Sequence, residues 1–250
     1  PSFRSAIAFS LIALSGQASA SLLAYYSFDT DFTDGVGSNA LTSTNGTITT
    51  TATAQFGAGA ADFDGGGEYL ALSSEINFSL TVTWSVSFWA KRDAAAPIAS
   101  GMVMGDVTTT GSFIWNTAND SQVNGVRFRP ASGGSGTGNN DYPVGTNTAY
   151  NHFAFVADGA GNITAYYNNV SQGTSTASGG TIFDINGIGQ AYDTDSFSFD
   201  GQLDEIYIFD EAIVSAAVGQ LNAGTFGGGP RAKLTRSHLP RRHADAPPQA

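Results

Sequence analysis

The sequence predicts an all-β sandwich or jelly roll with one short helix near the C-terminus. Twelve short runs have the apolar alternation of strands, and clusters of Gly, Asn and Asp separate them at the close spacing typical of such folds. Aromatic residues make up 12% of the 250 residues, which is ample for a core, while charged residues make up only 12%. These proportions favour one large domain with polar, uncharged faces.

The strands follow one another from the N-terminal part of the chain to the helix. We expect them at 23–28, 47–53, 60–64, 68–72, 82–91, 100–105, 111–116, 123–129, 151–157, 161–168, 181–189 and 203–209. Asp158 to Asn162 joins two alternating runs and predicts a hairpin. The helix is expected at 212–221, where Asn222, Ala223 and Gly224 form a stop signal.

The last strand is the most informative segment of the chain. Leu203, Ile206 and Ile208 are apolar, and Tyr207 and Phe209 lie on the alternate face, so both faces are expected to be buried. Asp204 follows the turn that opens this strand. By alternation it would share the face of Ile206 and Ile208, at the edge of the core.

Motifs along the chain resemble, in the right order, those of the LamG-like jelly-roll domains of the concanavalin A-like lectin/glucanase superfamily. They are a first strand at 23–29, a polar loop at 34–39, a hairpin of the form Phe-Asp-Gly-x-x-x-Tyr-Leu at 63–70, a Trp-containing strand at 84–91 and the closing segment 199–213. The resemblance covers about residues 22 to 226. It implies the fold, but lectins, adhesion modules, hydrolases and passive spacers all use that fold.

The resemblance also implies a structural Ca²⁺ ion where the first and last strands meet. Asp29 and Asp204 are the expected ligands, because Ca²⁺ prefers carboxylate and carbonyl oxygens. A buried carboxylate at Asp204 needs either a cation or a set of N–H donors. The alternative is therefore that Asp204 only caps a turn by accepting backbone N–H groups.

Sugar-binding sites combine an aromatic platform with Asp and Asn side chains that fork onto vicinal hydroxyls. Two segments have this composition, and their candidate residues are Trp115, Asn116, Asn140, Asp141 and Tyr142, with Asn119, Asp120 and Asn139 beside them. Arg127 and Arg129 lie two apart on one strand face and could meet acidic sugars. The alternative is that Trp115 belongs to the core and that the Asn-rich segments are only turns.

The sequence predicts no catalytic residues. Glucanases of the resembling superfamily carry a Glu-x-Asp-x-Glu strand, which sets two carboxylates on one face. Here Glu205 is followed by Tyr207 and Phe209 instead. His152 stands where the family has a Trp-His-His-Val-Ala strand, and we interpret it as a packed strand residue.

The charge distribution indicates the kinds of partner. Residues 21–230 hold four basic and 20 acidic residues, a formal charge of −16. Nucleic acid is therefore not an expected partner, because binding a phosphate backbone requires a basic face. Cations such as Ca²⁺ fit this charge, although solubility alone also explains it. Because the chain has no Cys, it forms no disulfide.

Both ends differ from the domain at 21–226. Residues 1–20 have the pattern of a signal peptide, with Arg4, an apolar run at 6–14 and a small-residue cleavage site before Ser21. Residues 227–250 form a Gly linker and a basic tail, expected to be disordered and without a membrane anchor. If the reading frame of the tail is shifted forward by one base, its codons permit Pro-Glu-Pro followed by an apolar run and Arg. This string resembles a PEP-CTERM sorting signal, which suggests a frameshift.

Together these features predict a secreted or cell-envelope module without catalytic activity. Its expected partner is a carbohydrate or an extracellular polysaccharide, and its expected role is binding or adhesion. Two alternatives remain: a polysaccharide-active hydrolase or lyase with a non-standard site, and a structural matrix module without a specific ligand.

Overall fold

A computed structural model describes residues 21–79, 82–93, 101–108, 111–117, 125–131, 140–143, 148–176, 180–191 and 197–226. The predicted signal peptide and tail lie outside these ranges. The described strands are β1 (Leu22–Tyr26), β2 (Leu41–Thr44), β3 (Thr49–Thr51), β4 (Ala60–Asp64), β5 (Tyr69–Phe78), β6 (Thr83–Arg92), β7 (Met102–Gly105), β8 (Phe113–Thr117), β9 (Gly125–Arg129), β10 (Asn140–Pro143), β11 (Asn151–Asp158), β12 (Asn162–Tyr167), β13 (Val170–Thr176), β14 (Phe183–Ile188) and β15 (Asp200–Phe209).

Two antiparallel sheets form the predicted sandwich. The eight-stranded sheet has the order β13-β12-β11-β6-β15-β4-β3, with β1 also paired to β15, and the seven-stranded sheet has the order β10-β9-β8-β7-β14-β5-β2. The expected pairing of the first and last strands is confirmed by Tyr25 opposite Tyr207. The hairpin at Asp158 to Asn162 is also confirmed, because β11 and β12 pair on either side of it.

The main core lies between the two sheets and is rich in aromatic residues. Trp84 on β6 is fully buried, and its ring lies 5.1–5.6 Å from those of Phe78, Phe128 and Phe183. Its indole N–H donates to the carbonyl of Thr181 at 2.8 Å. A buried tryptophan usually has such a partner for its one polar atom.

A second apolar cluster lies on the outer face of the eight-stranded sheet, beneath the helix α1 (Ser215–Asn222). Val218 and Leu221 of the helix pack there with Phe209 and Ala154. The helix begins three residues later than the sequence predicts. No helix among the described residues is long and apolar enough to cross a membrane.

Three strands were not predicted, namely β2, β10 and β13. β2 and β13 consist mainly of Thr and Ser, so they lack the apolar alternation that marks a half-buried strand. β10 contains the Asn-Asp-Tyr segment, which the sequence offered as a sugar-binding segment or a turn. It pairs with β9 along its whole length.

The predicted hairpin at 63–70 is wrong. β4 belongs to the eight-stranded sheet and β5 to the seven-stranded sheet, so the segment between them is a corner that joins the sheets. The carboxylate of Glu68 accepts hydrogen bonds from the backbone N–H groups of Asp64, Gly65 and Gly66. A single buried carboxylate therefore supports this corner.

Candidate functional site

A row of polar and aromatic side chains crosses the outer face of the seven-stranded sheet. Arg127 on β9 lies directly opposite Trp115 on β8 and Asp141 on β10. Residues that pair directly across strands point to the same face. Because the neighbouring residues Ile114, Val126 and Tyr142 pack in the main core, the row faces away from that core.

The members of this row contact one another in the order Asp141, Arg127, Trp115. The Nε and one terminal nitrogen of Arg127 donate to the two carboxylate oxygens of Asp141, at 2.6 and 2.9 Å. The guanidinium carbon of Arg127 lies 5.5 Å from the centre of the Trp115 ring, within the range of a cation–π contact. We call Asp141, Arg127 and Trp115 the Trp115 row.

Further aromatic side chains support the Trp115 row from one side. Phe197 and Phe113 pack edge-on against Trp115, with ring centres 6.0 and 6.5 Å away. Arg129 stacks over Phe113 at 5.4 Å. Both arginines are only 7% exposed, so they stiffen the row more than they present charge to solvent.

The exposed parts of the row are the indole of Trp115, which is half-buried, and the carboxylate of Asp141, whose side chain is 38% exposed. The indole and the carboxylate lie on either side of Arg127, and they offer a stacking surface and a hydrogen-bond acceptor on the sheet. The C–H face of a sugar ring and its hydroxyls are complementary to these two features.

The remaining predicted binding residues do not belong to the Trp115 row. Tyr142 follows Asp141 on β10, so strand alternation turns its ring into the main core, where it is 3% exposed. Its hydroxyl donates to the carbonyl of Ile163 at 2.9 Å. The structure describes the backbone of Asn116 and Asn140, which pair with Val126 and Phe128, while Asn119, Asp120 and Asn139 lie outside the described residues.

The carboxylates of Asp29 and Asp204, the expected calcium ligands, bind a loop. Asp204 accepts the backbone N–H groups of Gln55 and Phe56 at 2.9 and 3.0 Å, and Asp29 accepts that of Ala58. Both side chains thus hold the segment 55–58. Asp204 thus accepts backbone N–H groups, as the alternative expects, but they come from a distant loop and not from the turn that opens its own strand.

The expected orientation of Asp204 is wrong. A bulge at Glu205, whose φ is 50°, interrupts the pairing of β15 with β6. The extra residue puts Leu203 and Ile206 on the same face, in the main core, although they are three apart. Asp204 therefore lies on the opposite face, directly across from Trp89.

Asp204 is fully buried there, and its Oδ1 has no hydrogen-bond partner among the described residues. Burial raises the pKa of Asp204 to about 7, and the nearby charge of Glu205 adds to this effect. Glu205 itself accepts hydrogen bonds from the hydroxyls of Tyr25 and Tyr207, at 2.9 and 2.8 Å.

Calcium binding at Asp29 and Asp204 stays a prediction. The described residues contain no group of three or more His, Cys, Asp or Glu side chains placed to hold a metal ion. If Ca²⁺ binds the folded state, a chelator should lower the melting temperature, and Asp204→Ala should abolish the difference. Melting curves of the metal-loaded and chelator-treated domain test this, and identical curves would contradict it.

His152 is a packed strand residue, as predicted. It is fully buried on β11, and its Nε2 lies 2.8 Å from the hydroxyl of Ser87. Its ring contacts that of Trp89, with centres 5.3 Å apart. Burial lowers the pKa of His152 to about 3, so the imidazole is neutral in the folded protein.

The chain belongs to the concanavalin A-like lectin/glucanases superfamily. The Laminin_G_3 family model matches residues 64–219, which is more than half of the chain. This match agrees with the two-sheet architecture and with the resemblance noted in the sequence. No curated protein sequence matches the chain.

Solved structures with a similar fold include several binding domains. Domain 4 of AbnA, a GH43 extracellular arabinanase from Geobacillus stearothermophilus solved with arabinotriose, is 23% identical with a TM-score of 0.61, over 81% of this chain and 98% of that domain. The binding domain of Paraclostridial Mosquitocidal Protein 1 is 13% identical with a TM-score of 0.58, over 81% of this chain and 52% of that one.

A structure of botulinum neurotoxin type C, whose cell entry depends on two ganglioside molecules, is 13% identical with a TM-score of 0.54. The match covers 82% of this chain and 51% of that one. The chain thus spans about half the length of the toxin structures that it resembles. At these identities, the likeness shows the fold alone.

Proposed function

We propose that the chain is an exported carbohydrate-binding module without catalytic activity, and that it binds sugar on the Trp115 row. The observation that carries this proposal is the half-buried indole of Trp115 and the exposed carboxylate of Asp141, which flank Arg127 on one face of the sheet. The supporting contacts of Arg127, Phe113 and Phe197 hold the indole in one orientation. A preorganised aromatic surface reduces the entropy that binding costs.

The comparisons support this proposal through the fold. The superfamily includes lectins, one similar structure contains bound arabinotriose, and another belongs to a toxin whose cell entry depends on gangliosides. The proposal of a binding role without catalysis also fits the carboxylate of Glu205, which accepts two tyrosine hydroxyls, and the burial of His152.

Replacing Trp115 with alanine is expected to weaken oligosaccharide binding at least tenfold. An aromatic anchor at the centre of a binding surface typically contributes about 2 kcal/mol or more. Isothermal titration of the chain from Ser21 against oligosaccharides from a glycan array measures this loss. Tyr166→Ala, a half-buried aromatic on the other sheet, is the matched control and should leave affinity unchanged. Equal affinities of wild type and Trp115→Ala would contradict the site.

The same preparations distinguish the alternative functions. A hydrolase or lyase would release reducing or unsaturated ends from the polysaccharide that binds. A matrix module without a ligand would give no binding to any glycan on the array. The proposal expects binding without release of ends.

Export is proposed from the N-terminal pattern, with a secreted or cell-envelope location. Protein recovered from the periplasm or medium of an expressing bacterium is expected to begin at Ser21, because signal peptidase cleaves after a small-x-small motif. N-terminal sequencing of the exported product measures this. A product that retains residues 1–20 would contradict it.

A further inference from the structure

We infer that the Trp115 row selects neutral over acidic carbohydrate, and that Asp141 sets this selectivity. The inference rests on the proposed function, since it names the class of sugar that the same site takes. It also replaces the expectation that Arg127 and Arg129 meet acidic sugars.

The first observation is that Asp141 already occupies the binding edge of Arg127. The Nε and one terminal nitrogen donate to both carboxylate oxygens, at 2.6 and 2.9 Å. This fork is the geometry in which a guanidinium recognises a uronate or a sulfate group. An acidic sugar would have to displace Asp141 to obtain it.

The second observation is that the other surfaces of the two cations are covered. The face of the Arg127 guanidinium lies over Trp115, and that of Arg129 lies over Phe113. Both residues are 7% exposed. The charged group that a ligand meets at the row is therefore the carboxylate of Asp141, which accepts hydrogen bonds from hydroxyls and repels anions.

The third observation concerns the electrostatic field around the site. Residues 21–230 carry a formal charge of −16, which repels a polyanionic glycan before it reaches the sheet. Neutral glycans do not experience this repulsion. Their binding is expected to depend little on salt, because screening acts on charges.

The test measures the affinity of the chain from Ser21 for neutral and uronate oligosaccharides of equal length, at low and high salt. Wild type is expected to bind at least one neutral oligosaccharide ten times more tightly than any uronate oligosaccharide. Asp141→Asn removes the carboxylate charge and one of the two acceptor oxygens that hold Arg127, so uronate affinity should rise at least tenfold. Asp210→Asn removes the same charge from an exposed bend that directly follows β15 of the other sheet, and it should leave the preference unchanged.

The outcomes separate the inference from the proposed function. Wild type that binds uronate oligosaccharides as tightly as neutral ones would overturn the inference and leave sugar binding standing. An unchanged preference in folded Asp141→Asn would also overturn it. Wild type that binds neither class would overturn both. The wild-type comparison decides the matter even if Asp141→Asn does not fold.

Discussion

Replacing Trp84 with alanine is expected to lower the free energy of unfolding by about 3–5 kcal/mol, the usual cost of removing a buried aromatic side chain. The side chain is fully buried between the sheets and contacts the rings of Phe78, Phe128 and Phe183. Its removal also deletes the hydrogen bond to the carbonyl of Thr181. This loss is a large share of the roughly 5–15 kcal/mol that stabilises a typical domain.

Urea unfolding of the chain from Ser21 measures this effect, and the other tryptophan variant provides the contrast. Trp115→Ala removes the same atoms from a half-buried position on an outer face, so its stability loss should be much smaller. Trp84→Phe keeps a ring in the core and should fall between wild type and Trp84→Ala. Equal losses for Trp84→Ala and Trp115→Ala would contradict the assignment of the two residues to core and surface.

The variants Asp204→Asn and His152→Gln are expected to give opposite slopes of stability against pH. The folded-state pKa of Asp204 is raised to about 7, so its contribution is full below about pH 4 and is lost as the pH rises through 7. The folded-state pKa of His152 is lowered to about 3, so its contribution is full above about pH 6.5 and is lost as the pH falls towards 3. Each slope is about 1.4 kcal/mol per pH unit at most.

In wild type these two contributions oppose each other between about pH 4 and 6.5. Removing the histidine leaves the Asp204 slope, so His152→Gln should lose stability relative to wild type as the pH rises through this range. Removing the carboxylate leaves the histidine slope, so Asp204→Asn should gain stability relative to wild type over the same range. Urea unfolding at intervals from pH 4 to 8 measures both. Curves parallel to wild type would contradict the burial of these groups.

The sequence predicts the sandwich because its core strands carry their signal locally. β6 alternates Trp84, Val86 and Phe88 into the main core, and β11 alternates Phe153 and Phe155 into it, so each strand carries the period-two apolar pattern in its own sequence. β13 carries no such signal, since it lies at the edge of its sheet and most of its side chains are exposed. The bulge at Glu205 also has no local signal, because a non-glycine residue at positive φ is rare. The side of the sheet that Asp204 occupies could not be predicted without it.

The candidate site could be predicted in part. Trp115 and Asp141 were identified from residue type, because aromatic and carboxylate side chains suit sugar chemistry. Their connection through Arg127 depends on the register of β8, β9 and β10, which only the folded sheet defines. The segment 139–142 also has the composition of a turn, and turn and strand differ in whether Asp141 and Tyr142 share a face. The burial of Tyr142 follows from that difference.

NMR of the three tryptophan indole N–H groups tests the central claim most directly. Their resonances are recorded while an oligosaccharide that binds the chain is titrated in. Trp84 is fully buried between the sheets, Trp89 is 7% exposed beneath the loop that Asp204 holds, and Trp115 lies on the proposed site. Sugar binding on the Trp115 row predicts a saturable shift of the Trp115 resonance, with those of Trp84 and Trp89 nearly unchanged. A Trp115 resonance that stays in place while the sugar binds would contradict the account.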